Sequence, residues 1–140
     1  MADLKTATFR KQHEGIVEIV NSILASLDHN ELSNNTHGIR KLLTKLTNNV
    51  KIHLILEDTA LYPILANSDD KEVKAISLQY MEEMGVISNS YTSYVEKWSI
   101  GSSIKDSTET FINETKDLLG ALLNRIDREN KGLYQIIDEL

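Results

Sequence analysis

The sequence predicts an all-α protein, an antiparallel up-down-up-down four-helix bundle that forms a single domain over residues 1–140. One proline and six glycines occur in the chain, so long stretches contain no residue that breaks a helix. Apolar residues recur every three to four positions in four segments of similar length. Hydrophobic residues make up 41% and charged residues 26% of the chain, which is ordinary for a globular protein and excludes a disordered one.

The first two helices are predicted over residues 6–27 and from about residue 36 to residue 63. The first apolar stripe consists of Phe9, Ile16, Val20, Ile23, Leu24 and Leu27. The second consists of Ile39, Leu42, Leu43, Leu46, Val50, Leu54, Leu61 and Ile64. Residues 28–30 end the first helix, and the Asn/Ser-rich residues 30–35 are expected to be a simple connection. Pro63 is expected to kink or fray the last turn of the second helix, because proline has no N–H to donate.

The third and fourth helices begin at recognisable N-terminal signals. Ser68, Asp69 and Asp70 provide an N-cap and an acidic first turn for the third helix. Its apolar face consists of Val73, Ala75, Ile76, Tyr80, Ile87, Tyr91, Val95 and Trp98. The fourth helix begins near Ser103, with Asp106 as a partial capping box, and runs nearly to the C-terminus. Its stripe consists of Ile104, Phe111, Leu118, Leu122, Ile126, Leu133 and Ile136. Because the connections are short, consecutive helices must pack antiparallel.

Composition and charge exclude several classes of function. The net charge is −6, and no basic cluster is longer than the pairs at residues 10–11 and 40–41, so the chain lacks the positive face that binds nucleic acid. The absence of cysteine excludes disulfides, thiolate catalysis and cysteine-ligated metal centres. No apolar run has the length of a membrane span or a signal core, so we expect a cytoplasmic protein that does not bind membranes. No nucleophile–base pair, phosphate loop or dinucleotide fingerprint occurs, which gives an enzymatic function little support.

Ionisable residues lie on three of the apolar stripes. His13 follows Phe9 by one turn, His53 and Glu57 form a pair at i and i+4 within the second stripe, and Glu129 continues the fourth. A buried carboxylate requires a metal, a cation or a proton. We therefore expect His13, His53, Glu57 and Glu129 to converge in the bundle core, where facing helices can build a metal site.

Other polar and aromatic residues are expected to have structural roles. His29 lies in the first connection, and His37 lies about four turns before His53, so both are predicted to be solvated. The five tyrosines are expected to pack within the bundle rather than to act as redox relays.

Two sequence segments resemble a known family. Residues 9–16, Phe-Arg-Lys-Gln-His-Glu-Gly-Ile, and residues 53–63, which contain His-x-x-x-Glu and then Leu-Tyr-Pro, resemble the first two helices of the hemerythrin-like, or HHE cation-binding, domain. The resemblance covers nearly the whole chain. The fourth helix repeats the motif in altered form, because residues 125–129 read Arg-Ile-Asp-Arg-Glu and a Leu-Tyr pair follows at residues 133–134.

The resemblance implies a non-haem iron protein that handles or senses O₂, NO or iron. In the family, carboxylates of the second and fourth helices bridge two irons, and histidines of four helices complete their coordination. His13, His53, Glu57 and Glu129 match the family's ligands, whereas Met84 and Arg125 stand where histidines are usual. By this carry-over, each of the two metals would retain one histidine. The remaining ligands suit a single Fe or Zn ion or an incomplete di-iron centre.

Arg125 supports an alternative interpretation without metal. A guanidinium one turn before Glu129 could pair with that carboxylate and with Glu57, and so supply the positive charge that iron would otherwise provide. The bundle would then be a metal-free interaction or regulatory module. A third interpretation places the Arg125 head group in solvent at the edge of the stripe. A homodimer and an unidentified protein partner are both compatible with the sequence.

Overall fold

The computed structural model describes residues 6–140, and this part of the chain is a helical bundle without a β-strand. In chain order the helices are α1 (Ala7–Ala25), α2 (His29–Asn34), α3 (Thr36–Leu56), α4 (Tyr62–Ala66), α5 (Lys71–Lys97), α6 (Gly101–Asp106), α7 (Thr108–Arg128) and α8 (Tyr134–Glu139). Two π-helical segments, π1 (Glu57–Leu61) and π2 (Glu129–Leu133), join α3 to α4 and α7 to α8. The predicted all-α bundle is confirmed. Across residues 6–140, every helix is too short or too polar to cross a bilayer.

The first connection contains a helix that the sequence analysis did not predict. Asp28 is the N-cap of α2, because its carboxylate accepts hydrogen bonds from the backbone N–H groups of Asn30 at 2.7 Å and Glu31 at 3.3 Å. Leu32 of this short helix is fully buried. The expectation of a simple connection over residues 30–35 was therefore wrong, since one cap and one apolar anchor are enough to order it.

The two π-helical segments change which residues face the core. Each adds one residue to a helix, which rotates all following side chains by about 100°. The uninterrupted stripes place Ile64 and Ile136 inside, but in the structure Leu65 and Ile137 are buried and Ile64 is 51% exposed. The helix also continues past Pro63 to Ala66, because this proline lies in the first turn of α4, where a missing N–H is tolerated. The irregularity expected at Pro63 lies one turn earlier, in π1.

The core consists of two apolar clusters along the bundle. The larger cluster contains Ile16 of α1, Val50 of α3 and Ile126 of α7, and the smaller one contains Phe9 of α1 and the last residue of each π-helical segment. Between the clusters, the buried residues of these helices and of the π-helical segments that follow α3 and α7 form short polar stretches. The polar stretches of three helices therefore meet at one level of the bundle, between the clusters.

Helix α5 is the least buried of the long helices. Only Val73, Ser77 and Tyr94 are buried among its 27 residues, so no buried residue lies between Ser77 and Tyr94. The predicted apolar face of this helix is therefore only partly correct, with Ala75 and Val95 exposed.

Candidate metal centre

The four predicted ligands lie together between the two apolar clusters. Their relative exposures are 1% for His13, 4% for His53, 1% for Glu57 and 3% for Glu129. One donor atom from each of His13, His53 and Glu129 lies within 4.8 Å of the other two. Glu57 joins this group through His53, since its Oε1 lies 3.1 Å from the Nε2 atom of that ring. The structure thus brings together the side chains that the sequence pattern selected, and their role as ligands stays a prediction.

The two imidazole rings face each other through their Nε2 atoms, which are 3.0 Å apart. The other ring nitrogen of each lies against an amide oxygen. His13 Nδ1 is 2.8 Å from Asn130 Oδ1, and His53 Nδ1 is 2.7 Å from Gln12 Oε1. Because an amide oxygen can only accept, each Nδ1 carries a proton and donates it. When neither Nε2 atom carries a proton, the two Nε2 lone pairs face each other, and a proton or a metal ion between them relieves their repulsion.

The Tyr134 hydroxyl belongs to the same group. Its Oη lies 3.2 Å from His13 Nε2 and 3.3 Å from His53 Nε2, and it donates to Glu57 Oε2 at 3.1 Å. Burial and the nearby carboxylates of Glu129 and Glu57 raise the pKa of Tyr134 far above its usual value. The phenol therefore remains protonated and provides a hydrogen bond rather than a charge. The expectation that this tyrosine only packs was too narrow.

The two carboxyl groups have different environments. Burial raises the pKa of Glu129, which the negative charge of Glu57 raises further. Burial alone would also raise the pKa of Glu57, but hydrogen bonding to His53 and the charge of that ring lower it. Glu129 Oε1 lies 3.3 Å from His13 Nε2, whereas its Oε2 is buried without a hydrogen-bond partner.

Arg125 is buried beside this group, with 1% of its side chain exposed. Its Nη2 lies 3.7 Å from Glu129 Oε2 and donates to Tyr62 Oη at 3.3 Å. Its Nη1 donates to Glu83 Oε2 at 3.3 Å, and the guanidinium lies 4.6 Å from the centre of the Tyr80 ring. The interpretation in which Arg125 reaches solvent was therefore wrong. The expected pairing with Glu129 is present, and the second carboxylate that contacts Arg125 is Glu83 rather than Glu57.

A cavity of about 10 Å³ lies among these side chains. All four predicted ligands line it, together with Arg125 and apolar residues that include Met84. This volume corresponds to about one water-sized sphere. Two imidazoles and two carboxylates are a donor set that suits iron or zinc. The residues present therefore fit one metal ion, and the orphaned Oε2 of Glu129 gives such an ion a free donor atom.

His13 and His53 line the same cavity. Carry-over from the family implied one histidine for each of two metals. In the structure the two Nε2 atoms are 3.0 Å apart and both rings line one cavity, so the division of the histidines between two metals stays a prediction. Arg125 and Met84 also line that cavity, and they are the two residues that the resemblance aligns with the family's other histidines. His29 and His37 are exposed, as predicted.

Sequence reasoning missed two residues that orient the imidazoles. Gln12 precedes His13 on α1 but bonds to His53, and Asn130 follows Glu129 in π2 and bonds to His13. Each is the direct neighbour of a predicted ligand, and each carries an amide oxygen that can accept from an imidazole. This adjacency to a predicted ligand was the only sequence signal for Gln12 and Asn130. The apolar stripes do not show which residue next to a ligand contacts a histidine on another helix.

The family model for the hemerythrin HHE cation-binding domain matches residues 4–137, which is nearly the whole chain. Neither the curated proteins nor the solved structures include a significant match to this sequence.

Proposed function

The chain belongs to the hemerythrin HHE cation-binding family, and we propose that it binds one non-haem metal ion, with iron as the first candidate, through His13, His53, Glu57 and Glu129. The domain would use this ion to sense or handle O₂, NO or iron. The proposal rests on the family and on the group of two histidines and a glutamate whose donor atoms lie within 4.8 Å of one another.

The orientation of the imidazoles is the observation that supports this proposal most strongly. Asn130 and Gln12 accept from the two Nδ1 atoms, so that His13 and His53 direct their Nε2 lone pairs at one point. Hydrogen bonds of this kind fix the tautomer and raise the basicity of metal-ligating histidines. Two lone pairs held 3.0 Å apart repel each other, so this arrangement favours a cation between them.

Charge favours one ion over two. Glu57 and Glu129 contribute two negative charges when both are ionised, and Arg125 contributes one positive charge. One divalent ion would leave the buried group with a net charge of plus one, whereas two divalent ions would leave it with plus three. A buried net charge of plus three is costly because no solvent compensates it. The volume of about 10 Å³ agrees with this limit.

An iron ion in this cavity would supply a redox-active centre that can bind a small molecule. The protein residues have separate tasks around it. His13 and His53 are held by their amide partners, Glu57 accepts from Tyr134, and the apolar residues that line the cavity exclude bulk water.

A second candidate function is a metal-free interaction or regulatory module. The burial of Arg125 at 3.7 Å from Glu129 favours it, because the guanidinium compensates a buried carboxylate without any metal. In that case one proton shared by the two carboxylates would complete the charge balance.

Metal analysis and iron titration separate the two functions. We expect the protein, purified without chelator, to bind one iron per chain. The variant His53→Ala should lose this binding, and His37→Ala, which changes an exposed histidine of the same helix, should keep it. Absence of bound metal in the purified protein, together with equal and weak iron binding by all three proteins, would favour the metal-free module.

A further inference from the structure

An apolar groove between α3 and α5 borders the candidate metal centre. Its volume is about 310 Å³, and it is distinct from the cavity of about 10 Å³ among the predicted ligands. Four apolar side chains line both spaces, namely Val50, Leu54, Met84 and Leu122. The groove and the centre therefore lie on the two sides of one apolar wall.

Among the four side chains that form this apolar wall, Leu54 and Met84 are the least buried. Val50 and Leu122 are buried, with 7% and 4% exposure, whereas Leu54 and Met84 are only partly buried. Methionine has three rotatable bonds and adapts readily to new packing. Met84 also lies in the stretch of α5 that has no buried residue. Displacing the Met84 side chain therefore disturbs less packing than displacing any buried residue around the cavity.

The polar side of the cavity offers no comparable opening. His13 and His53 are held at both ring nitrogens by buried or partly buried contacts, and Arg125 is held by Glu83 and Tyr62. Moving one of these groups would leave a buried polar atom without a partner, which is unfavourable.

We propose that the groove is the route by which a small uncharged molecule, of the size of dioxygen or nitric oxide, reaches the centre, with Met84 as the side chain that moves aside. This inference rests on the proposed function, because the molecule needs a metal ion to bind. An anion such as azide would lose its hydration at the apolar wall without gaining a partner, so the route favours neutral molecules.

Xenon tests the groove without any metal. Xenon is an apolar atom that occupies dry cavities, and in crystals of the metal-free protein under xenon pressure we expect it in the groove. The variant Ser88→Trp should exclude it, because Ser88 lines the groove but not the cavity among the ligands. Val86→Trp is the matched control, since Val86 is 67% exposed on the same helix and lines a different cavity. A groove that stays empty in the wild type would overturn the proposal.

The second measurement is the rate at which nitric oxide reacts with the iron-loaded protein, followed by stopped-flow absorbance. Ser88→Trp should slow this reaction at least tenfold, Met84→Ala should accelerate it, and Val86→Trp should leave it unchanged. The tryptophan variants should bind iron as the wild type does, because the substituted residues lie outside the cavity among the ligands, and Thr92→Trp, also in the groove, replaces Ser88→Trp if the latter does not fold. Unchanged rates in a protein that binds iron would overturn the route alone. Failure to bind iron would overturn the proposed function, and the route with it.

Discussion

Replacing Arg125 by methionine removes the only guanidinium that contacts Glu129 among residues 6–140. The two side chains are 1% and 4% exposed, and the Arg125 Nη2 atom lies 3.7 Å from Glu129 Oε2. At this distance the attraction is about 4 kcal/mol for an effective dielectric constant of about 20. Removing one partner of a buried pair typically lowers the free energy of unfolding by about 3–5 kcal/mol, because the other charge stays buried without compensation. We expect a loss in this range for metal-free Arg125→Met at neutral pH.

The loss should depend on pH in a defined direction. The pKa of Glu129 is already raised in the folded protein, so this group stabilises the fold at pH values below its unfolded pKa, and the contribution is lost as the pH rises through its folded pKa. Without Arg125 the folded pKa rises further. The difference in stability between wild type and Arg125→Met should therefore be small in acid, where Glu129 is protonated in both proteins, and should grow toward neutral pH.

Urea unfolding of chelator-treated protein at several pH values measures this difference. Adding Glu129→Gln to Arg125→Met removes both charges, and we expect this double variant to recover most of the lost stability. Methionine preserves most of the side-chain volume, so a cavity does not account for the effect. A loss below about 1 kcal/mol at neutral pH, or one that does not change with pH, would refute the view that Arg125 compensates Glu129.

Three further predictions concern the ligands and their supports. Asn130→Ala should weaken metal binding about 10- to 100-fold in a calorimetric titration. Asn130→Asp keeps an acceptor oxygen and should bind metal as the wild type does. Equal metal affinities of these two variants would contradict the orienting role of Asn130. Tyr134→Phe should lower the free energy of unfolding by about 1–3 kcal/mol in urea, because a buried acceptor on Glu57 loses its donor, and unchanged stability would show that this hydrogen bond is dispensable. Met84→His combined with Arg125→His should bind two irons per chain by metal analysis where the wild type binds one, and a wild type that already binds two would contradict the view that Arg125 takes the place of an ion.

Much of the fold could be predicted because it depends on local patterns. The spacing of apolar residues was enough to place the long helices and to direct His13 and His53 inward, since a 3.6-residue period determines which face is buried. That period does not predict which residues face the core beyond Glu57 and Glu129, where the π-helical segments begin. One additional residue in π1 exchanges Ile64 for Leu65 in the core, and only packing against the other helices selects that exchange.

The environment of Arg125 was harder to predict than its position. Its place one turn before Glu129 allowed either a buried ion pair or a head group in solvent, because arginine can extend along an apolar surface. Whether the head group is buried depends on Glu83 of α5, which lies 42 residues away in the sequence. Glu83 accepts a hydrogen bond from the Arg125 Nη1 atom. Such contacts between distant residues are set by how α5 packs against α7, which a single sequence does not specify.

The second and fourth helices carry related motifs, and the structure shows why one substitution between them matters. The tyrosine that follows each motif contacts the first residue of the other motif. Tyr134 lies 3.3 Å from His53, and Tyr62 accepts from Arg125 at 3.3 Å. His53 and Arg125 therefore occupy related surroundings, each beside the glutamate of its own motif and the tyrosine of the other. A histidine provides a lone pair for a cation, whereas an arginine is itself the cation. With the permanent charge of Arg125 in place, the two buried carboxylates need only one more positive charge, which a retained proton supplies and which the proposed single divalent ion exceeds by one.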